Sequence, residues 1–349
     1  VTRFQIAHIS DLHFAVEEAR GNAFTEHNHV ELILGFSNRY LPSSFTGRKA
    51  IILADLLVDL KDEIDALLIT GDLATTGDIQ DLEAAKDWIV GNASTKYIPA
   101  LRGFAPVPNT VRRIGDVKPF VIIPGNHDRF LGRKNEPGST SFETVFGTYW
   151  DLDSGFVDQT CPFPAIRKTT LRSRASANST EKLTFLCADL ALRAKHDDQG
   201  TWGYLGQGRA YSDICTDLVD ETRHCRSEDS LNCVVWVIHF PPRFEHPKVG
   251  NRLRLLGEDL LLDSADSVDV KLVFTGHTHL ADVYKARKSR AVVVCAGTPI
   301  AFGKGEEHSF NLATLDVDQG CLVDAKVVHW AFNSTEKTFK ADKSIPIPF

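Results

Sequence analysis

Apolar residues along this chain gather into short runs that stop abruptly at turn-forming or polar residues. Phe4-Gln5-Ile6-Ala7-His8-Ile9-Ser10 alternates and then breaks into Asp11-Leu12-His13. The run at 66–70 stops at Gly71-Asp72, and the run at 120–123 stops at Pro124-Gly125-Asn126-His127-Asp128. Residues 233–238 stop at His239-Phe240-Pro241-Pro242, and residues 271–275 stop at Gly276-His277-Thr278-His279. Short β-branched runs bounded by Gly and Pro predict buried strands whose tips enter loops. Further strands are predicted at 183–188, 291–296, 310–317 and 323–332.

Between these runs the period changes. Ile51, Ile52, Ala54, Leu56, Val58 and Leu60 predict a well-buried helix over 48–63, packed on a sheet. Asp78 is placed to cap a second helix that reaches Val90, with Leu82, Ala85, Trp88 and Ile89 on one side. Residues 141–149 read as a short amphipathic helix whose stripe of Phe142, Val145, Phe146 and Tyr149 belongs to a core. The stretch 202–207 reads as a loop leading into a helix.

The remainder is irregular. Residues 14–46, which contain His27 and His29, and residues 91–119, rich in Pro, Gly and Arg, read as insertions over the strand ends. His27 and His29 are read as solvated or structural and are not assigned as ligands. Basic residues cluster at Arg167, Lys168, Arg172 and Arg174, expected as a solvated loop or hairpin. A second basic patch holds Arg243, His246, Lys248, Arg252 and Arg254. Residues 333–349 are polar and then proline-rich, and are expected to wrap the surface as a tail.

Composition narrows the function classes. The 349 residues are 43% hydrophobic and 24% charged, ordinary for a globular protein with a large core. Length alone would permit two domains. A net charge of −7 gives no global bias toward nucleic acid or anionic membrane. No apolar run is long enough to span a bilayer, and the strand-like first residues give no sign of a signal peptide. Seven scattered Cys without a C-x-x-C pair read as buried thiols in a reducing compartment, so a cytoplasmic location is expected.

Alone, Asn126-His127-Asp128 would be a polar turn. Its recurrence changes that reading, because five predicted strand ends now carry metal-ligating groups: Asp11/His13, Asp72, Asn126/His127, His239 and His277/His279. Ligands of open α/β structures gather outside the carboxyl ends of strands. Asp11 and His13, two apart, are expected to share one strand face. Seven ligands exceed the needs of one cation. They can serve two cations about 3.5–4 Å apart if one carboxylate bridges. Imidazole mixed with carboxylate and amide oxygen suits Mn, Fe or Zn better than Ca, and lacks the thiolates of a structural zinc site.

In this order, Asp11-x-His13, Gly71-Asp72, Gly125-Asn126-His127-Asp128, His239 and Gly276-His277-x-His279 resemble the calcineurin-like metallophosphoesterase superfamily. Ala296-Gly297-Thr298-Pro299 followed by Ser309-Phe310-Asn311-Leu312 is similar to its bacterial class III cyclic-nucleotide phosphodiesterase and glycerophosphodiesterase branch. The resemblance implies a four-layer α/β/β/α sandwich with two mixed β-sheets flanked by helices. It replaces the two-domain expectation with one catalytic domain over 1–332, followed by the tail. It implies two divalent or trivalent metal ions (Mn, Fe or Zn). Asp11, His13, Asp72 and His279 would hold one, and Asp72, Asn126, His239 and His277 the other. Asp72 would bridge them together with a nucleophilic hydroxide, and His127 would donate a hydrogen bond or proton to the leaving group.

The implied activity is hydrolysis of a small phosphodiester, either a cyclic nucleotide or a glycerophosphodiester. The alternatives are a phosphomonoesterase or nuclease and, ranked lower, a non-catalytic scaffold. A small phosphate ester is the expected partner; nucleic acid is not favoured and no membrane is expected. One position departs from the related Ser/Thr protein phosphatases, where an Asp three residues after the bridging Asp orients the His. Here that position is Thr75, and either Asp128 or Asp78 substitutes or nothing does.

Overall fold

The computed structural model describes residues 1–14, 47–75, 77–90, 104–105, 118–129, 141–150, 165–172, 181–191, 208–244, 255–300 and 307–347. His27, His29, Arg174, His246, Lys248, Arg252, Arg254 and the stretch 202–207 lie outside the described residues.

The chain opens with β1 (Thr2–Ile9), α1 (Gly47–Asp59) with a 3₁₀ turn at Leu60–Asp62, β2 (Ala66–Ile69) and α2 (Ile79–Val90). Then come β3 (Phe104–Ala105), β4 (Lys118–Ile122), the single turn α3 (Asn126–Arg129) and α4 (Ser141–Trp150). The middle holds β5 (Ile166–Arg172), β6 (Lys182–Ala188), α5 (Ser212–Glu228), β7 (Asn232–Ile238), α6 (Glu258–Ser267) and β8 (Leu272–Thr275). It closes with β9 (Asp282–Lys285), β10 (Val292–Cys295), β11 (Ser309–Asp318), β12 (Cys321–Asn333) and β13 (Thr338–Ile347).

These strands form two mixed sheets. The first has seven strands in the order β13-β12-β11-β1-β2-β4-β3, with β1, β2 and β4 parallel and β11 to β13 antiparallel. The second has six in the order β5-β6-β7-β8-β10-β9, parallel from β6 to β10 and antiparallel at both edges. Two-sided burial explains the unbroken apolar runs. On β7, Cys233, Val235 and Val237 join the core shared with the first sheet, while Val234, Trp236 and Ile238 pack in a second core with α5 and α6. β8 repeats this, with Leu272 and Phe274 on the inner side and Val273 on the outer. Each such side chain contributes about 1.5–3 kcal/mol by leaving water. Together with α1, α2 and α4 on the first sheet, this is the α/β/β/α sandwich.

Several expectations need correction. The terminal stretch read as a tail carries β13, paired antiparallel to β12 from Asn333↔Thr338 to Ala325↔Ile347. Only Phe339 and Ile347 of β13 are buried, and the exposed polar residues between them hid the strand. Such polarity protects a sheet edge from further pairing. The basic cluster near 167 lies on the edge strand β5, antiparallel to the next strand β6, so the expected hairpin is present and only its solvation needs correction. On it Arg167 is buried and the Lys168 ammonium lies 2.8 Å from Glu221. The short strand β9 was not foreseen, and β3 falls inside the expected 91–119 loop. Asp78 does cap α2, its Oδ1 accepting from Gln80 N at 2.9 Å. Among the described residues no helix is long and apolar enough to cross a membrane.

Candidate metal centre

The site forms where the carboxyl ends of β1, β2 and β4 meet those of β7 and β8. The backbone ladder continues past the strands: Asp11 N donates to Gly71 O at 3.0 Å, His13 N to Asp72 O at 3.0 Å and Phe14 N to Leu73 O at 2.9 Å. On the second sheet Gly276 N donates to His239 O at 2.9 Å. Within this ladder Asp11, His13, Asp72, His277 and His279 all take positive φ, between 50° and 73°. The left-handed conformation costs a non-glycine residue roughly 1–2 kcal/mol and persists only where the surroundings enforce it. It also corrects the expectation that Asp11 and His13 share a strand face. They lie beyond β1, and the left-handed turns rather than β alternation aim them at one point.

Two glycines make the approach of the strand tips physically available. A Cβ on Gly71 would stand 2.5 Å from His239 Nδ1, and one on Gly125 would collide with the Asp72 carboxylate and backbone nitrogen. Gly71 also has φ +96°.

The ligating atoms fall into overlapping groups whose members all lie within 4.8 Å of one another: Asp11, His13 and His279; Asp72, His239 and His277; and His13, Asp72 and His127. His13 Nε2 is 3.0 Å from His279 Nε2, and His279 Nε2 is 3.4 Å from Asp11 Oδ1. Asp72 Oδ2 stands between the groups, 3.9 Å from His13 Nε2 and 3.3 Å from His239 Nε2. Asn126 Oδ1 is 3.2 Å from His239 Nε2. All seven residues singled out as ligands are therefore brought to one place, and all seven are buried.

The donor set fits a cation. Asp11 Oδ1 is buried and accepts no hydrogen bond among the described residues. A buried carboxylate oxygen left this way is costly unless a positive charge meets it. Two ligands at right angles on one octahedral cation, about 2.1 Å away each, stand about 3 Å apart, which matches the His13–His279 separation. Burial, reinforced by His127 and His279, holds the His13 pKa well below its usual range, so this imidazole is in the neutral, ligating form. Burial alone would raise the Asp72 pKa, but the His239 and His127 charges outweigh it and hold the carboxyl well below its usual range. Burial opposes protonation of His239, yet the Asp72 carboxylate overcomes it and lifts His239 to about 9. Cys295 is the nearby thiol. Burial pushes it up to about 12, and it donates to Gly276 O at 3.2 Å, so it offers no thiolate.

A layer of partners orients these groups. His239 Nδ1 is 2.6 Å from Thr70 O, which only accepts, so Nδ1 keeps its proton, and Nε2, whose proton a cation would displace, faces the site. Asp11 Oδ2 accepts from His277 N at 2.9 Å, and Thr298 Oγ1 donates to Asp11 O at 2.8 Å. His127, half-buried, donates its backbone N–H to Asp72 Oδ1 at 2.9 Å, and its Nδ1 is 2.8 Å from Thr75 O. The backbone carbonyl of Thr75 thus stands at His127 Nδ1. Asp78 Oδ1 accepts from Gln80 N in its helix cap. Asp128 accepts from Gly125 N at 2.8 Å, Ala74 N at 2.9 Å and Leu73 N at 3.2 Å. Burial and the neighbouring Asp72 push Asp128 up to about 7 against those three hydrogen bonds. The contributions of the Thr70 and Thr75 carbonyls were invisible in the sequence, since every residue carries a carbonyl. Thr298 lay within a recognised motif but without a role.

The sequence pattern of the calcineurin-like phosphoesterases matches residues 4–281. The chain belongs to that family. Among solved structures, it resembles GAP50, the anchor in the inner membrane complex of Plasmodium, with a TM-score of 0.52 at 10% identity, covering 99% of this chain and 89% of the other. The purple acid phosphatase PPD1 from yellow lupin (Lupinus luteus) matches with a TM-score of 0.48 at 11% identity, over 99% of this chain and 54% of that one. A 5'-nucleotidase from Staphylococcus aureus matches at 0.42 and 12%, again spanning 99% of this calcineurin-like chain and 54% of the other. No curated protein matches in sequence. At these identities the likeness is one of fold.

Proposed function

We propose that this chain is a dinuclear-metal hydrolase of phosphate esters that prefers a small phosphodiester, a cyclic nucleotide or a glycerophosphodiester. The observation that carries it is Asp72, whose Oδ2 lies within 4 Å of imidazole nitrogens from both ligand groups. In this reading Asp11, His13, Asp72 and His279 hold one cation, and Asp72, Asn126, His239 and His277 hold the other, with Asp72 shared. Mn, Fe or Zn suits these donors. Bound there, the cations supply Lewis acidity toward phosphoryl oxygens and activate water near neutral pH.

The chain's own residues do the rest. Thr75 O fixes the Nδ1 proton of His127, leaving Nε2 to hold a proton against the departing alkoxide. The Asp128 cradle fixes the backbone at Leu73 and Ala74, and with it the carbonyl of Thr75 that His127 leans on. A nuclease reading loses ground at the described basic residues, because Lys168 is paired with Glu221 and the Arg243 guanidinium with Asp259. A reducing, cytoplasmic setting accords with buried free thiols at Cys187, Cys215, Cys225, Cys233 and Cys295.

Hydrolysis of an aryl phosphodiester beside its monoester, after stripping metal and restoring Mn²⁺, tests the proposal. Faster diester turnover is expected. Faster monoester turnover would move the assignment to a phosphomonoesterase, and silence on both with two metals bound would overturn the catalytic reading.

A further inference from the structure

Asn126 and His127 ride on α3, a single helical turn of four residues. The two residues that complete the turn are both buried and both ionisable. Asp128 faces the first sheet, where it accepts from the Leu73, Ala74 and Gly125 amides. Arg129, 5% exposed, faces the second sheet. Its Nε and Nη2 lie 2.9 and 2.6 Å from Asp189 Oδ2, and its Nη1 and Nη2 lie 2.6 and 2.5 Å from the two carboxylate oxygens of Glu143 on α4. Asp189 is itself fastened, its Oδ1 accepting from Ala191 N at 3.0 Å.

The register of the second sheet gives this arrangement a meaning for the site. β6 and β7 run parallel with Ala188 opposite Ile238. One step further along each strand are Asp189 and His239. Asp189 therefore sits beside the very strand tip that presents His239. Two ties consequently cross in parallel between α3 and neighbouring tips of the second sheet: Asn126 Oδ1 to His239 Nε2 at 3.2 Å, and Arg129 to Asp189. The first joins the two residues that the proposed function places on one cation. The second is a forked guanidinium, always charged and rigid in geometry, on a buried carboxylate.

Resting on that dinuclear reading, we infer that Arg129 is a positioning residue that sets the distance between Asn126 and His239 through Asp189, and so tunes the cation position they share without touching the metal. Glu143 grips the same guanidinium but lies on α4, outside the second sheet. It holds Arg129 without spanning the gap. Asp189 and Glu143 thus make a matched pair: equal in charge and burial partner, different in whether they cross between the sheets.

The experiment is a calorimetric Mn²⁺ titration of metal-stripped protein. Wild type is expected to bind two Mn²⁺ per chain. Asp189→Asn turns an amide toward the guanidinium and is expected to weaken one of the two sites by about 10–100-fold, with the other kept within about threefold. Glu143→Gln is expected to keep both within about threefold. Arg129→Lys, which keeps the charge and loses the fork, is expected to reproduce the one-site loss and covers the case in which Asp189→Asn does not fold. Unchanged affinities in a folded Asp189→Asn or Arg129→Lys variant would overturn the inference, as would equal weakening of both sites by Asp189→Asn and Glu143→Gln. Fewer than two Mn²⁺ on wild type would instead overturn the dinuclear reading, and the inference with it.

Discussion

His127 Nδ1 lies 2.8 Å from the main-chain carbonyl of Thr75, where related Ser/Thr phosphatases place a carboxylate three residues after the bridging Asp. A carbonyl fixes the tautomer as a carboxylate would, but adds no negative charge to stabilise the imidazolium. The Thr75 side chain points elsewhere, with Oγ1 donating to His13 O at 2.8 Å. Because the carbonyl belongs to the backbone, Thr75→Ala should keep His127 oriented and reduce kcat by less than about tenfold. His127→Ala should reduce it by about 10²–10⁴-fold on alkyl phosphodiesters and far less on activated aryl esters. Comparing the two ester classes in both variants checks this; equal losses on both classes in His127→Ala would argue against an acid role.

Asp72→Asn keeps the size of the side chain and removes the charge shared between the two ligand groups. The expected result is loss of at least one bound metal and a fall in turnover on the order of 10²–10³-fold. Metal analysis of the dialysed variant, followed by assay at saturating Mn²⁺, measures both. Near-normal turnover there would sink the shared-carboxylate assignment.

Gly125→Ala places a methyl group against the Asp72 carboxylate and backbone nitrogen. Backbone cannot yield as a flexible side chain can. Overpacking of this kind costs about 1–3 kcal/mol, so a lower Tm is expected together with weakened metal binding. A variant with wild-type Tm and metal content would show that the strand tips are looser than their geometry.

His8 on β1 supplies the pH dependence. It is fully buried with Nε2 3.0 Å from Thr70 Oγ1, and burial pushes its pKa down to about 3. The unfolded chain takes up a proton near 6.5 while the folded chain stays neutral. Stability is therefore complete above about pH 6.5 and declines as pH falls toward 3, by roughly 4–5 kcal/mol from this group alone. Asp128, pushed up to about 7, works in the opposite direction over the same range, so the His8 contribution is read as the urea stability of wild type minus that of His8→Gln, a difference that should fall as pH drops from 7 to 4. A variant with the wild-type slope would place the titration elsewhere.

The sequence legibly carried the strands that build the site, because burial on both faces demands continuous apolar runs and burial is local information. It carried the residues that gather at the candidate metal centre too, since His, Asp and Asn at successive strand tips are conspicuous against those runs. β13 escaped for the opposite reason. Its partnering depends on β12, and its exposed residues Lys340, Asp342 and Lys343 imitate a solvated tail. At Arg167 and Lys168 the expected hairpin was legible but the burial was not, because a charge looks solvated until its partner, here Glu221 across 53 positions from Lys168, is known.

What the residue order determined by itself was the set of candidate ligands: hard and borderline donors in order, each delivered by a strand end. What only the tertiary structure decided was how those ligands are aimed. The left-handed backbone at Asp11, His13, Asp72, His277 and His279, the carbonyls of Thr70 and Thr75 that set two imidazoles, and the reach of Arg129 from α3 to Asp189 are all invisible to periodicity. Periodicity reports which side of an element meets water. The direction of a side chain at an element's end is set by groups far away in the chain, 169 residues from His239 to Thr70 and 287 from Asp11 to Thr298, and becomes defined only when the two sheets close on each other.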